Sequence, residues 1–521
     1  MESSILTLLI FLPVAGAIIM LPFAKLYGKE NPHIYKWIAL VTTSLQLLLS
    51  WVLYSNFNPT MSITESPFTI QLDWITHFNI QYYLGVDGLS MPMVLLTALL
   101  SCICIIASWN IEKQALGYFS LFLLLDAGMM GVFLSMDFFL FYIFWEVMLL
   151  PMYFLIGMWG GPQRMYAAIK FFLYTLFGSV FMLLAMLALY YYSDPHTFRL
   201  ITLIQTAGSI DAEIWGMSVK YLIWISLFIG FAIKVPVFPF HTWLPLAHVE
   251  APTAISVVLA GILLKLGVYG MLRINYTMLP DAVWWFAGAF AVLGMINVLW
   301  GAMCALAQKD LKKMVAYSSI SHMGFLLLGM AAVIAGGAAN GSNLMAAQAG
   351  INGAVFQMFN HGTISAMLFI LVGVIYDQAH HRDIEGFGGL AAQMPVYSGI
   401  VALAFFAGLG LPGLSGFVSE AMCFIGAFPV FRTIVIISTI GILLNAAYFL
   451  WAFQRMFFGK LNEKYTGLVD INRRELFTVV PLLAITIFLG IYPRPFLDMI
   501  KETMNVLIDQ VVIVGGIAGI F

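Results

Sequence analysis

Of 521 residues, 62% are hydrophobic and 9% are charged, and the formal charge is −2. A soluble domain carries about 25% charged residues, so this chain is solvated by lipid. The formal charge says nothing about nucleic acid, and with no basic run to suggest it none is expected as a partner. Cys102, Cys104, Cys304 and Cys423 lie in apolar segments with no CxxC pair, which reads as buried thiols and not as disulfides or metal ligands.

A membrane-crossing helix takes about 20 mostly apolar residues. By that rule about fourteen segments begin near residues 4, 34, 86, 116, 137, 165, 219, 250, 283, 314, 349, 395, 432 and 476. The first, near Ile5–Phe23, has no basic residue before it and no small-residue cleavage site, so it reads as a retained helix and not a secretory signal. Connections are short except Asn56–Tyr83, Asp194–Val219 and Arg455–Glu475, and none is long or polar enough to form a soluble domain. The expected fold class is an all-α polytopic membrane protein. The tail after Lys501 is apolar enough for one more crossing, but Asp509 equally suits an interfacial helix.

Two segments are interrupted. Pro236, Pro239 and Pro245 break the seventh just after Lys234; Gly408, Gly410, Pro412 and Gly413 break the twelfth just before Glu420. The breaks lie five segments apart in helices of opposite direction, the pattern of an inverted-repeat transporter. The chain therefore divides into helices 1–3 (1–115), a first five-helix inverted repeat (116–273), a second (274–457), and a last helix with its tail (458–521). Alternating the crossings places fourteen loop lysines and arginines, Lys29 and Lys312 among them, on one side and six, Arg273 among them, on the other. This predicts basic loops in the cytoplasm and both termini outside.

Asp126, Glu146, Lys234, Lys265 and Glu420 fall well inside predicted crossings, and Lys170 sits near enough to an end to snorkel. A central charge costs about 3 kcal/mol on insertion scales, so each is a candidate functional residue; mutual pairing as structural staples is the alternative. A desolvated lysine releases its proton more readily, and a nearby carboxylate makes it hold on. Glu146 opposite Lys234 would form such a modulating pair, with Lys265 the next acceptor. His241, His248, His322 and His361, with Ser318, Ser319 and Ser321, are candidate bridging groups alongside internal water. The pattern points to a conduit for an ion, foremost a proton.

Other motif matches fail on context. Gly408–Gly413 fits GxGxxG but lies in an apolar helix without a strand before it. His380 and His381 beside Asp377 and Asp383 read as a solvated loop and not as a metal site. No cofactor or metal is expected in this chain, and no motif supplies redox chemistry.

Three long stretches, Phe138–Gly161, Lys234–Gly270 and Ala307–Phe325, resemble the antiporter-like membrane subunits of respiratory complex I, and the similarity covers nearly the whole chain. The resemblance implies fourteen helices in two inverted five-helix repeats and proton translocation driven by quinone reduction elsewhere in the complex. It assigns proton transfer to Glu146, Lys234, Lys265 and His322, with His361 on the eleventh helix. Glu420 stands where the L and N types of the family carry lysine, and this, like Tyr82–Thr97, is similar to the M type. Asp126 receives no role. Implied partners are the other complex I membrane subunits, including the L and N types. Flavin, iron–sulfur clusters and quinone (ubiquinone or menaquinone) are expected in partner subunits, and the location is the bacterial inner membrane. The rivals are a subunit of a multi-subunit Na⁺/H⁺ antiporter or membrane-bound hydrogenase, or a structural membrane subunit.

Overall fold

Lipid offers no hydrogen bonds, so an apolar segment must satisfy its backbone internally, and helices dominate the fold. The computed structural model describes residues 4–27, 31–337 and 343–517. Lys29, counted above among the loop cations, lies outside them.

The first half consists of α1 (Ile5–Tyr27), α2 (Pro32–Ser55), α3 (Ser90–Ala107), α4 (Ala115–Leu134), α5 (Phe138–Trp159), α6 (Arg164–Tyr192), the interrupted pair α7a (Val219–Lys234) and α7b (Trp243–Glu250), and α8 (Thr253–Tyr276). The second half continues with α9 (Pro280–Leu306), α10 (Leu311–Gly337), α11 (Leu344–Ala379), the interrupted pair α12a (Pro395–Gly408) and α12b (Ser415–Ala427), α13 (Arg432–Phe457), α14 (Arg473–Ile491) and α15 (Arg494–Ile517). Among the described residues, 12 helices are long and apolar enough to cross a membrane; each half of the two interrupted helices is shorter.

The most apolar windows of α8 and α11 are 100% buried, whereas those of α2 and α14 are 33% and 28% buried. Lys265 and Arg273 on α8 and His361 on α11 are therefore enclosed by protein, while α2 and α14 form part of the outside of the bundle.

An asparagine from a neighbouring helix reaches each break, and at the first it replaces lost backbone partners. On α9, Asn297 accepts from the Phe238 N–H (2.7 Å) and donates to Pro236 O (3.2 Å). On α11, Asn360 donates to Ser415 O (2.9 Å) at the start of α12b. Broken backbone at membrane depth is tolerated only where protein replaces its lost partners. Gly410 and Gly413 make the second break, with φ of 80° and 97°, a region that favours glycine.

Loops gather on two faces. On one, Arg474 bonds Asn110 (2.7 Å), Arg382 bonds Val249 O (3.0 Å) and pairs with Asp310 (3.1 Å). On the other, Thr7 meets Tyr82 (3.0 Å), Lys220 pairs with Asp281 (2.8 Å) and the Gly88 N–H donates to Thr503 (3.0 Å). Thr7 and Thr503 thus reach the same short segment, and both ends of the described chain lie on one face.

The long first loop, read only as polar, holds an antiparallel hairpin of β1 (Ile70–Ile75) and β2 (Ile80–Leu84). The tail forms α15, amphipathic and not among the candidate spans. It buries Phe496, Ile500, Met504 and Ile508 and exposes Lys501, Glu502 and Asp509. It runs beside the first turns of α11, with Phe496 near Phe356 and Phe359 and Gln348 bonded to Asn505, then reaches Trp284 at the start of α9. All these partners lie in the half of the bundle nearest one face, where α15 packs along them.

Candidate functional site

Four of the expected residues form one near-continuous line. Lys265, fully buried on α8, donates through Nζ to the Ala260 carbonyl and to His361 Nδ1 on α11, the latter at 2.6 Å. The His361 ring lies 5.6 Å, centroid to centroid, from the His322 ring on α10. The Nδ1–H of His322 donates to Glu420 Oε1 on α12b at 2.9 Å. Gln357 also reaches Glu420 Oε1, at 3.4 Å. A small cavity (≈ 10 Å³) touches His361, His322 and Glu420, which is about the room one water needs.

Glycine makes this line possible. A Cβ on Gly362 would stand 3.0 Å from Gly261 O and 2.5 Å from Leu96, so bare backbone lets α8 and α11 close up beside Lys265 and His361. Gly410 does the same for the far end, since a Cβ there would meet Glu420 Oε2 at 3.0 Å.

Lys234, at the end of α7a, is held differently. Its Nζ has no hydrogen-bond partner and lies over the rings of Trp145 (5.2 Å) and Phe171 (5.6 Å). Glu146 acts on it electrostatically, but among the ion pairs within 4 Å theirs is absent, and Glu146 Oε1 has no partner of its own. The pair expected from the sequence is thus a through-space pair, and an unpartnered ammonium over aromatic faces is a poor staple.

The structural alternative fits a residue the sequence reading had left in a loop. Arg273 is buried and grips Asp87 with two bonds (2.7 and 2.6 Å) while also donating to Tyr269 and Ser90. Burial pushes the Asp87 carboxyl up, but the Arg273 guanidinium and the Ser90 and Leu89 N–H groups outweigh this and hold it below the usual carboxylate range. Every partner is satisfied, which is what a staple requires.

Of the remaining candidates, His248 on α7b is fully buried with neither ring nitrogen partnered, stacked 4.5 Å from Phe369. His241 stands apart from the line, its Nε2 accepting from Trp300 Nε1 (3.1 Å). Asp126 on α4 is buried and accepts from Ser101 on α3 (2.6 Å), also apart from the line. Among the described residues, no group of three or more His, Cys, Asp or Glu could hold a metal ion.

Sequence reasoning missed a buried lysine. Lys312, counted as a loop cation, is buried at the start of α10 and lines a cavity of ≈ 440 Å³ together with Glu250, Asp377 and Arg382. Its place in the apolar-periodic part of KDLKKMVAY was the only available signal, and two adjacent cations hid it.

Two family patterns match. The one described as NADH:quinone oxidoreductase/Mrp antiporter, TM, covers residues 135–445, and NADH-ubiquinone oxidoreductase chain 4, amino terminus, covers residues 8–136. The chain is 40% identical to NADH-quinone oxidoreductase subunit M of Rhodobacter capsulatus over 98% of this chain and 97% of that one. It is 38% identical to NADH-ubiquinone oxidoreductase chain 4 of Chondrus crispus over 95% and 96%. Among solved structures it is similar to a chain of respiratory complex I from Thermus thermophilus, with a TM-score of 0.84 and 26% identity over 97% of this chain and 99% of that one. A chain of the Mrp complex from Dietzia sp. shares the fold alone, with a TM-score of 0.77 at 19% identity over 98% and 99%. Full-length identity to subunit M proteins, together with both family patterns, shows that the chain belongs to the NADH-quinone oxidoreductase subunit M (chain 4) family of complex I membrane subunits.

Proposed function

We propose that this chain serves as the proton-translocating M-type membrane subunit of NADH:quinone oxidoreductase, and that Lys265, His361, His322 and Glu420 are its proton line. The observation that carries this reading is the near-continuous contact from α8 to α12b. It runs from α8 across α11 and α10 to the interrupted helix α12 through groups that can each hold or release a proton. Glu146 and Lys234 form the modulating pair beside it. Electron transfer belongs to partner subunits that hold flavin, iron–sulfur clusters and quinone; this chain converts their changes into proton shifts along buried side chains.

The proposed topology is fourteen crossings, with two inverted five-helix repeats over 116–273 and 274–457 and both ends on the periplasmic side of a bacterial inner membrane. The two interrupted helices, five segments apart, support the repeat. The basic loops, gathered on the face opposite Thr7 and Thr503, support the orientation.

The test is proton stoichiometry in reconstituted complex. Lys234→Ala and Lys265→Ala are expected to assemble, to pass electrons from NADH to an artificial acceptor at the normal rate, and to move fewer protons per NADH. Unchanged stoichiometry in either variant removes that lysine from the path.

A further inference from the structure

Helix α2 is turned inside out. Its buried face carries Lys36, Thr42, Thr43, Gln46 and Ser50, while Trp37, Val41, Leu45, Leu48 and Trp51 are exposed. A hydroxyl in an apolar bundle can satisfy itself on its own helix. Thr42, Thr43 and Ser50 do so, donating to Ile38 O (2.8 Å), Ala39 O (2.9 Å) and Leu47 O (2.8 Å). Gln46 reaches outward instead. Its Nε2 donates to Leu9 O on α1 (3.0 Å), and its Oε1 is buried without a partner.

Asp126 stands beside that amide. It lies near the middle of α4 and is fully buried. Its Oδ1 accepts from Ser101 on α3 (2.6 Å), and its Oδ2 has no partner. The side chains acting on the carboxyl are Ser101 and Gln46, and the Cys104 thiol faces it from α3. None of these is a cation, and Asp126 takes part in none of the ion pairs among the described residues. From the other side, α5 closes on α4 with Met148 at Gly128 and Phe144 at Gly131, and its Glu146 acts on Lys234. An ionised Asp126 would thus be a full charge at membrane depth with no counter-charge, the costly case. Asp87, with Arg273 against it, shows how this chain holds a carboxylate that does stay charged.

We infer that Asp126 is a resident proton site, a neutral acid whose Oδ2–H donates to Gln46 Oε1. The ligand is the proton itself, and one hydrogen satisfies both orphaned oxygens. Leu9 O fixes Nε2 of the Gln46 amide, which leaves Oε1 as the atom open to a donor. A protonated carboxyl accepts and donates at once, so it takes the Ser101 hydroxyl on one oxygen and offers its own hydrogen from the other. The run Ser101–Asp126–Gln46–Leu9 then ties α3, α4, α2 and α1 together through side chains that are all buried. Its bonds are used up within the tie, and Asp126 stands apart from the run of Lys265, His361, His322 and Glu420. The proton therefore stays where it is and takes no part in transport. The inference does not depend on the proposed proton line, and failure of that line's own variants leaves it untouched.

A relay, a charged acceptor and a neutral donor behave differently in Asp126→Asn. The amide in that variant accepts from Ser101 and donates to Gln46 as the neutral acid does, but it cannot ionise. The experiment compares Asp126→Asn, Asp126→Leu and Gln46→Leu in whole complex, purified and reconstituted into vesicles. It reads the melting temperature and, separately, protons moved per NADH. The expected result is that Asp126→Asn matches the wild type in both. Asp126→Leu strands the Ser101 hydroxyl and the Gln46 amide, and Gln46→Leu strands the acid. Each should lower the melting temperature by roughly 2 °C or more at unchanged protons per NADH. Fewer protons per NADH in Asp126→Asn overturns the inference, because the acid is then a relay. A melting temperature in Asp126→Asn as low as in Asp126→Leu overturns it as well, because a charge is then required. Wild-type melting in Asp126→Leu removes the tie. If the leucine variants fail to assemble, Asp126→Asn alone decides.

Discussion

The side-chain nitrogens of Lys265 and His361 lie 2.6 Å apart although they belong to helices far separated in the chain. With Lys265 donating, His361 Nδ1 must be the acceptor, which places the imidazole proton on Nε2. A proton arriving at Lys265 can therefore enter the ring at one nitrogen while another leaves from its far side. His361→Phe keeps the ring volume and removes both nitrogens. We expect it to lower protons per NADH as much as Lys265→Ala does, with normal subunit composition after purification. A larger group at Gly362 should act the same way from a distance: in Gly362→Val the new atoms meet Leu96 and the Gly261 carbonyl, and the contact opens.

Lys234 tests a different kind of restraint. Its ammonium rests over Trp145 and Phe171 with no hydrogen-bond partner, and a desolvated cation–π contact contributes about 2 kcal/mol. Trp145→Phe should retain most of the pumping, while Trp145→Leu should lose much of it at unchanged assembly. Equal pumping by the two variants would assign Trp145 to packing alone.

The Asp87–Arg273 pair should behave as a staple. Removing one partner leaves a buried charge uncompensated, which costs about 3–5 kcal/mol. Arg273→Met and Asp87→Asn should each lower the melting temperature of the purified complex or its yield, and the double variant should recover part of the loss. Proton stoichiometry in whatever assembles should stay normal, in contrast to the variants of the proton line.

A pH dependence is expected where β2 meets α5. Burial pushes the Asp137 carboxyl up to about 6, even though the Leu140, Gln81 and Phe139 N–H groups and Arg199 oppose the rise. Its unfolded value is about 3.9, so between about pH 4 and 6 the folded state binds the extra proton. Stability of this junction is therefore greatest at the acid end of that window and falls as pH rises through 6. Amide exchange at Phe139 and Leu140, corrected for its intrinsic pH dependence, should report more frequent opening at pH 7 than at pH 5. Asp137→Asn should flatten that difference.

The sequence made the architecture legible because lipid imposes a simple rule on helix length, and clustered prolines or glycines beside a buried charge mark a break. Glu146, Lys234, Lys265 and Glu420 stood out for the same reason: a charge in an apolar run is costly and conspicuous. Lys312 and Arg273 did not stand out, since each sits near a helix end where cations are common, and only packing reveals that they are buried. The line through His361 and His322 needed three helices in their mutual rotation, which no one-dimensional pattern carries. The tail was ambiguous in hydropathy, and its partners on α9 and α11 decided its course.

Helix α8 has a property that sets it apart from its neighbours. It contains two π turns, Leu259–Leu263 and Met271–Tyr276, on either side of Lys265 and Tyr269. Each such turn holds one residue more than the α turn it replaces, and each residue in a helix advances the face by about 100°. Losing a single residue from the first turn would leave a perfectly good apolar helix whose Lys265 no longer faces His361. Losing one from the second would swing Arg273 away from Asp87. The count of residues in α8 is thus as binding a part of its design as their identities, and single-residue deletions there should be far less tolerated than in the lipid-facing helices α2 and α14.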